Sequence, residues 1–308
     1  MENKGVLIAA IAFVFGSFIL MIVGLVYESH KAKQQRELVA SLQSESRPVA
    51  TVAPLDDYSL YKTMVGDDGR EMVQIPEGPF TMGSKEGDPD EAPDHQVYLG
   101  TYYMDKKEVT QAEYDRFVRM TKRGKPFVPV FEDDISKIQK PTLPAMGMSW
   151  SDAVAYCKWA GKRLPTEAEW EKAGRGEGKR RYPWGEEFEA GRANVDGDED
   201  GFRYLAPPGA FESGRSPFGL YDMTGNVAEW VADTYDEQYY RKSPYRDPPG
   251  PEEGEHKVIR GGSWRETQQN ARLPKRFQAK MWRTDSTIGI RCAKDAEEPR
   301  AQPRPARN

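Results

Sequence analysis

Histidine and cysteine are scarce in this chain, with three and two copies in 308 residues. His30, His95 and His256 lie far apart with no ligand-like spacing, which argues against a histidine-based zinc or iron centre. Cys157 and Cys292 form no C-x-x-C pattern; they are either partners in a disulfide or two separate buried thiols. No Ser/His/Asp or Cys/His pairing for nucleophilic catalysis is evident from spacing. A strong excess of one charge is also missing: the formal net charge is -5, with both signs interspersed, so there is no basic stripe of the kind a nucleic acid selects. Nor is there a repeat of fixed period.

Turn formers and aromatics are plentiful. The chain carries 28 Gly, 23 Pro, 15 Tyr and 7 Trp, the profile of an irregular, loop-rich fold packed around aromatic rings. One long apolar run stands out, Gly5 to Tyr27, which is free of charge and as a helix would span about 34 Å. It is longer than the apolar stretch of a cleaved leader and no A-x-A-like site follows, so an uncleaved single-pass anchor is expected over 5–27, behind a short tail at 1–4. The flanking charges, Lys4 before and Lys31, Lys33 and Arg36 after, would by themselves keep the following side in the cytoplasm.

Residues 28–60 read as a juxtamembrane helix and linker, polar at first and then Pro- and Val-containing. A folded domain is expected over 61–293, and a tail without apolar content, expected to be disordered, over 294–308. Inside the domain three [ST]-x-x-[DE] capping boxes mark helix starts: Thr110 with Glu113, Ser149 with Asp152, and Thr166 with Glu169. Helices over 111–121 and 150–160 would bury Tyr114, Phe117 and Val118, and Val154, Cys157 and Trp159, with Gly161 closing the second. Beyond Gly174 periodicity vanishes into Gly- and Pro-rich turns, which speaks against a regular sheet there and for loops held by aromatics, ions or a disulfide.

Seven strings then line up in order: VQIPEGPFTMGS (73–84), KKEVTQAEY (106–114), SWSDAVAYCKWAGKRLPTEAEWEKAGRG (149–176), YPWG (182–185), PFGLYDMTGNVAEWVAD (217–233), VIRGGSW (258–264) and IGIRCA (288–293). In this order and spacing they resemble the formylglycine-generating enzyme, or sulfatase-modifying factor, family over about 72–293. The resemblance implies an α+β, irregular, loop-rich fold related to C-type lectins. It implies that Cys157 and Cys292 pair, and with that an oxidising compartment, so the domain is expected on the periplasmic side of a bacterial inner membrane, against the flanking charges.

Active members of the family hold copper with two cysteines shortly after the GGS motif. In this chain that stretch reads GGSWRETQQNARLPKR, and Glu266 and Ala271 stand at those positions. Neither offers the soft sulfur donor that Cu(I) needs, so no copper, no catalytic residue and no enzyme activity are expected. The resemblance also implies calcium held by Asn194, the Val195 carbonyl, Asp200 and the Phe202 carbonyl, in a loop whose Asp196, Asp198 and Asp200 are hard oxygen donors. A second ion between Asn226 and Glu229 is one reading of GNVAEW; the other is a turn in which Glu229 caps backbone N–H groups. Gly261 and Gly262 are expected to serve close packing. Trp264, Arg265, Arg272, Arg276 and Trp282 are the candidate binding face. The expected role is a membrane-anchored accessory subunit that contacts other proteins. An oxidoreductase with another metal centre and a calcium-dependent carbohydrate or peptide binder are the alternatives.

Overall fold

The computed structural model describes Tyr58 and residues 61–126 and 137–296. The expected anchor at 5–27, most of the linker and the tail from 297 lie outside the described residues. No helix among the described residues is long and apolar enough to cross a membrane.

Among the described residues ten short strands form three sheets. The first is antiparallel, in the order β1 (Thr63–Val65), β2 (Glu71–Ile75), β5 (Tyr102–Asp105), β10 (Ala293–Asp295). Met72, Val73, Ile75, Tyr102 and Met104 bury its inner strands. β3 (Gly78–Met82) pairs with β4 (His95–Leu99) as a separate antiparallel ribbon. The third sheet runs β8 (Phe277–Lys280), β7 (His256–Arg260), β6 (Ala228–Thr234), β9 (Ile288–Gly289), antiparallel except for the parallel pair of β6 with β9.

That third sheet lies wholly beyond Gly174, where regular pairing was not expected from the sequence. Six of the seven residues of β6 are buried, so its side chains are covered on both faces and the apolar/polar alternation that marks a half-buried strand is absent. The domain is also wider than expected. Tyr58 already packs on it, under the Arg215 guanidinium at 4.9 Å, and the last strand continues past 293 to Asp295, paired with Tyr102.

Three α-helices are found among the described residues: α1 (Gln111–Thr121), α2 (Trp150–Trp159) and α3 (Glu167–Arg175). The capping boxes of α1 and α3 close reciprocally, side chain to backbone in both directions. At α2 the Ser149 hydroxyl takes the Asp152 N–H, but the Asp152 carboxylate returns to the Ser149 hydroxyl at 2.6 Å. Gly161 follows α2 at φ +68°, the left-handed turn that a C-terminal glycine supplies. The inner face of α2 is Ala153, Tyr156 and Cys157, while Val154 and Trp159 are only partly covered; the face is set about one residue from the expected stripe.

Cys157 and Cys292 are joined in a disulfide, both fully buried, tying α2 to the residue before β10. Around it Val109, Tyr114, Phe117, Tyr156, Trp230 and Ile290 form one apolar core; a second gathers on Trp170 of α3. All nine residues of α3 are buried, its charged ones included. Its acids are met by cations from β7 and the loop before β8: Arg260 bonds Glu167 at 3.0 Å and Glu171 at 2.5 Å, and Arg276 clasps Glu167 at 2.8 and 3.0 Å. Buried charge is tolerated here because each acid has a partner with directed hydrogen bonds.

Candidate functional site

The two positions at which the family resemblance implies cysteine in active members sit in different surroundings. Ala271 is fully buried, and a Cβ on Gly262 (φ +69°) would stand 2.9 Å from its Cα, so the second glycine of the GGS motif is required by this close approach. Gly261 plays the same part against the Trp170 ring, 3.1 Å from where its Cβ would be. Glu266 instead lines a cavity of about 650 Å³, open on one side, between β7, β8, the start of β6 and the loop before β9. Ile259, Phe277, Ala279, Trp282 and Ile288 are the apolar part of its wall. Glu266 accepts the Asn270 side-chain N–H at 2.8 Å, and its backbone carbonyl takes the Asp196 N–H at 2.9 Å.

The candidate binding face divides. Trp282 is 71 % exposed at the cavity rim. Arg265 is exposed and lies over the Trp264 ring at 5.2 Å, while Trp264 itself is half-buried against Tyr204. Arg272 and Arg276 are not on a binding face: Arg272 is buried in a two-pronged bond to Glu91 at 2.8 and 2.9 Å, and Arg276 is committed to Glu167. Their expected role is corrected for a plain reason, since a buried guanidinium must spend its donors on an internal acid.

Of the expected calcium positions, Asp200, Val195 and Phe202 are joined by hydrogen bonds within one loop. Asp200 folds back on its own loop, one oxygen taking the Val195 N–H at 3.1 Å and the other the Phe202 N–H at 2.8 Å. Burial raises its carboxyl above the ordinary aspartate value. Asn194 is fully buried; its amide nitrogen donates to the Tyr204 carbonyl and to Asn226 Oδ1, and its own Oδ1 has no hydrogen-bond partner. A buried amide oxygen without a donor suits a hard cation.

The second pair does not converge. Asn226 Oδ1 accepts from Asn194 and from the Ala206 N–H, and its amide nitrogen donates to Glu108 at 2.5 Å. Glu229 spends both oxygens on Arg291, at 2.9 to 3.1 Å, and on Trp170 Nε1 at 2.7 Å. Neither reading of Glu229 made from the sequence, ion ligand or backbone cap, describes these bonds.

Sequence inspection missed the group that surrounds this pair. Glu108 and Asp222 are buried close enough to Glu229 for their charges to act on one another. Burial pushes Glu108 well above the usual glutamate value, with Asp222 and Glu229 adding repulsion, and raises Asp222 to about 6. Arg291 is the cation that opposes all three. The only signal in sequence was that each lies inside a recognisable string; Glu108 stands more than a hundred residues before the other two, which hides the meeting. Among the described residues no group of three or more His, Cys, Asp or Glu is placed to hold a metal ion.

Comparison with known proteins agrees with this architecture. The family described as "Sulfatase-modifying factor enzyme 1-like domain" matches residues 58–296. The chain is 36% identical over 241 residues to the protein named serine/threonine-protein kinase pkn1 of Chlamydia pneumoniae, a match covering 73% of this chain but 38% of that much longer protein. It is 34% identical to the formylglycine-generating enzyme of Bos taurus, covering 73% and 75% of the two chains. To the inactive C-alpha-formylglycine-generating enzyme 2 of Mus musculus it is 33% identical, covering 74% and 87%. The family therefore includes both an enzyme and an inactive paralogue. Among solved structures, PvdO from Pseudomonas aeruginosa superposes with a TM-score of 0.66 at 29% identity, covering 76% of this chain and 98% of that one. Fold, motifs and matches together place the chain in the sulfatase-modifying factor enzyme 1-like family.

Proposed function

We propose that this domain is a non-catalytic member of its family that acts by contact, as an accessory or scaffolding subunit of a protein assembly at the membrane. One observation carries the reading: the chain has two cysteines, and both are consumed by the buried disulfide, which leaves Glu266 and Ala271 at the positions where active members carry copper-binding thiols. A carboxylate is a hard donor and a methyl group is none, so a soft Cu(I) ion finds no pair of ligands there. The mouse relative named inactive shows that the family holds a member without the activity.

The apolar run at 5–27 supplies the proposed anchor, and the disulfide favours placing the domain on the oxidising, periplasmic side. Calcium is the proposed structural ion, at Asn194 and Asp200, with the neighbouring Val195 and Phe202 carbonyls, because Asn194 Oδ1 is buried without a donor. A second reading, a lectin-like binder of a peptide or glycan, is favoured by the open cavity beside Trp282.

The test is direct. The purified chain, incubated with Cu(I), oxygen and a cysteine-containing substrate peptide, should leave the thiol intact; aldehyde formation would overturn the proposal. Mild-detergent purification from its native membrane should return the chain with other subunits, and recovery of a lone monomer would favour the binder of free ligands.

A further inference from the structure

A smaller cavity, of about 320 Å³, shares no lining residue with the one at Glu266. Its walls are the loop after β3, from Gly83 to Glu86, Asp94 before β4, Arg175 at the end of α3, and the loops that carry Lys179, Arg181, Glu186 and Arg272. Pro274 is its only apolar side chain among the described residues, so an apolar ligand would bury little there. Two of its cations are buried. Arg272 is spent on Glu91. Arg175 is 2 % exposed: its Nε donates to the Arg180 carbonyl at 3.1 Å, and one terminal nitrogen donates to Glu171 at 2.5 Å and to the Thr81 and Gly83 carbonyls. The other terminal nitrogen has no partner among the described residues and is not sealed from solvent, so it opens on the cavity. Only water or a ligand there can take its hydrogens.

The other charges of the wall lie nearer to water. Lys85 and Lys179 share one carboxylate, Asp94, at 3.0 and 2.7 Å, so these two ammoniums keep one positive charge in excess. Arg181 is exposed and makes no ion pair among the described residues. Glu86 and Glu186 oppose them, both exposed and screened by solvent. With Glu171 and Glu91 included the charges balance, so the direction of the hydrogen bonds, not net charge, selects the ligand. Carbonyl lone pairs at the wall are already engaged: Arg175 takes those of Thr81 and Gly83, and Arg180 takes that of Arg175 at 3.2 Å. Donors are left over. Beside the free Arg175 nitrogen they are the Arg181 guanidinium, the ammonium of Lys179, and the Ser84 hydroxyl, whose oxygen accepts the Glu86 N–H at 3.1 Å and whose proton has no acceptor among the described residues.

We propose that this cavity binds a tetrahedral oxyanion, a phosphate or sulfate group, between Arg175 and Ser84 on the inside and Lys179 and Arg181 at the rim. Donors converge from three separate segments, more than the two oxygens of a carboxylate can use, and they suit an anion with three or more acceptor oxygens. The buried guanidinium is held in place by its bonds to Glu171 and the β3 carbonyls, so it offers its free nitrogen without a further ordering cost. This goes beyond the reading of the domain as a contact module and stands independently of how the cavity at Glu266 is used.

The experiment is equilibrium dialysis of radiolabelled inorganic phosphate against the full chain in detergent, at constant ionic strength set with chloride. Phosphate should be retained saturably, one per chain, and sulfate should displace it. Lys179→Ala and Arg181→Ala, both exposed changes that should melt as the unaltered chain does, should each weaken phosphate binding about two- to fivefold, the range of an exposed charge pair. Glu186→Gln removes an opposing carboxylate and should strengthen binding by about the same factor. Phenyl phosphate as competitor separates the two sources of the group: displacement as effective as that by phosphate assigns the cavity to an esterified phosphate, and failure to displace assigns it to the free ion. No retention of phosphate, or retention that all three variants leave unchanged, overturns the proposal.

Discussion

Arg291 holds Glu229 with its Nε and one terminal nitrogen, at 2.9 to 3.1 Å, in a fully buried pair at the centre of the domain. Its other terminal nitrogen donates to the Asp105 carbonyl at 2.9 Å, so the same side chain ties β5 to β6. Glu108 stands nearby, as does Asp222, which Lys107 also opposes, and Arg291 is the cation that acts on all three buried carboxylates. Arg291→Met should therefore cost about 3–5 kcal/mol, the penalty for breaking a buried pair from one side. Urea unfolding followed by tryptophan fluorescence measures it. A loss under about 1 kcal/mol would mean that the carboxylates are already neutral in the fold.

The orphaned Asn194 oxygen leads to a second expectation. If Ca²⁺ binds the folded chain at Asn194 and Asp200, free calcium at a hundred times its Kd adds about 2.7 kcal/mol. Removing it with EDTA should then lower Tm by roughly 2–4 °C for each kcal/mol lost, as in domains of 150–250 residues. In Asp200→Ala the melting curves with calcium and with EDTA should coincide. An unaltered chain indifferent to EDTA would remove calcium from the picture.

Local chemistry was legible in the sequence where it acts over a few residues. Thr110 with Glu113 and Thr166 with Glu169 form their caps because each box is satisfied within one turn. Ser149 with Asp152 closes on the hydroxyl alone, the aspartate being a methylene shorter than glutamate. What could not be read was the pairing of distant charges. Nothing local marks Glu167 and Glu171 as buried, because the Arg260 and Arg276 that pair with them stand about ninety to a hundred and ten residues on. Arg272 and Arg276 looked like interface anchors for the same reason: an arginine advertises its charge in sequence but not its partner. The third sheet was hidden by burial on both faces of β6, which erases alternation. Of the candidate site, Glu266 and Ala271 were singled out by the family resemblance, whereas the cavity that Glu266 lines depends on β7 and β8 folding beside it.

The disulfide gives a third test. Cys157 and Cys292 are 135 residues apart, so the bond closes a long loop in the unfolded chain. Replacing both by alanine should cost about 2–4 kcal/mol, mainly by freeing the denatured ensemble. Denaturant midpoints measure the cost, and a thiol-reactive tag of large mass, applied to the unfolded and unreduced protein, should cause no gel shift. Two reactive thiols would contradict both the bond and the oxidising compartment proposed for the domain.

Asp233, on β6, offers a test in pH. Burial, with Glu167 and then Glu169 repelling it, raises its carboxyl to about 8, while Arg276 opposes that rise. Its Oδ2 accepts the Glu167 backbone N–H at 2.7 Å, a bond an amide oxygen can also accept. A carboxyl that holds its proton more tightly folded than unfolded contributes stability that is complete below the unfolded value near 4. That contribution is lost as the pH rises through the folded value, here about 8. Glu167, whose carboxyl the flanking Arg276 and Arg260 hold below the usual value against burial, acts in the opposite sense and only in acid. Asp233→Asn should accordingly gain on the unaltered chain by a few kcal/mol, on the order of 1.4 per pH unit at most, between pH 5 and 8. Urea midpoints of both proteins across that range decide the matter: parallel curves would mean that Asp233 is ionised throughout, and the repulsion assigned to Glu167 would have to be absorbed by Arg276.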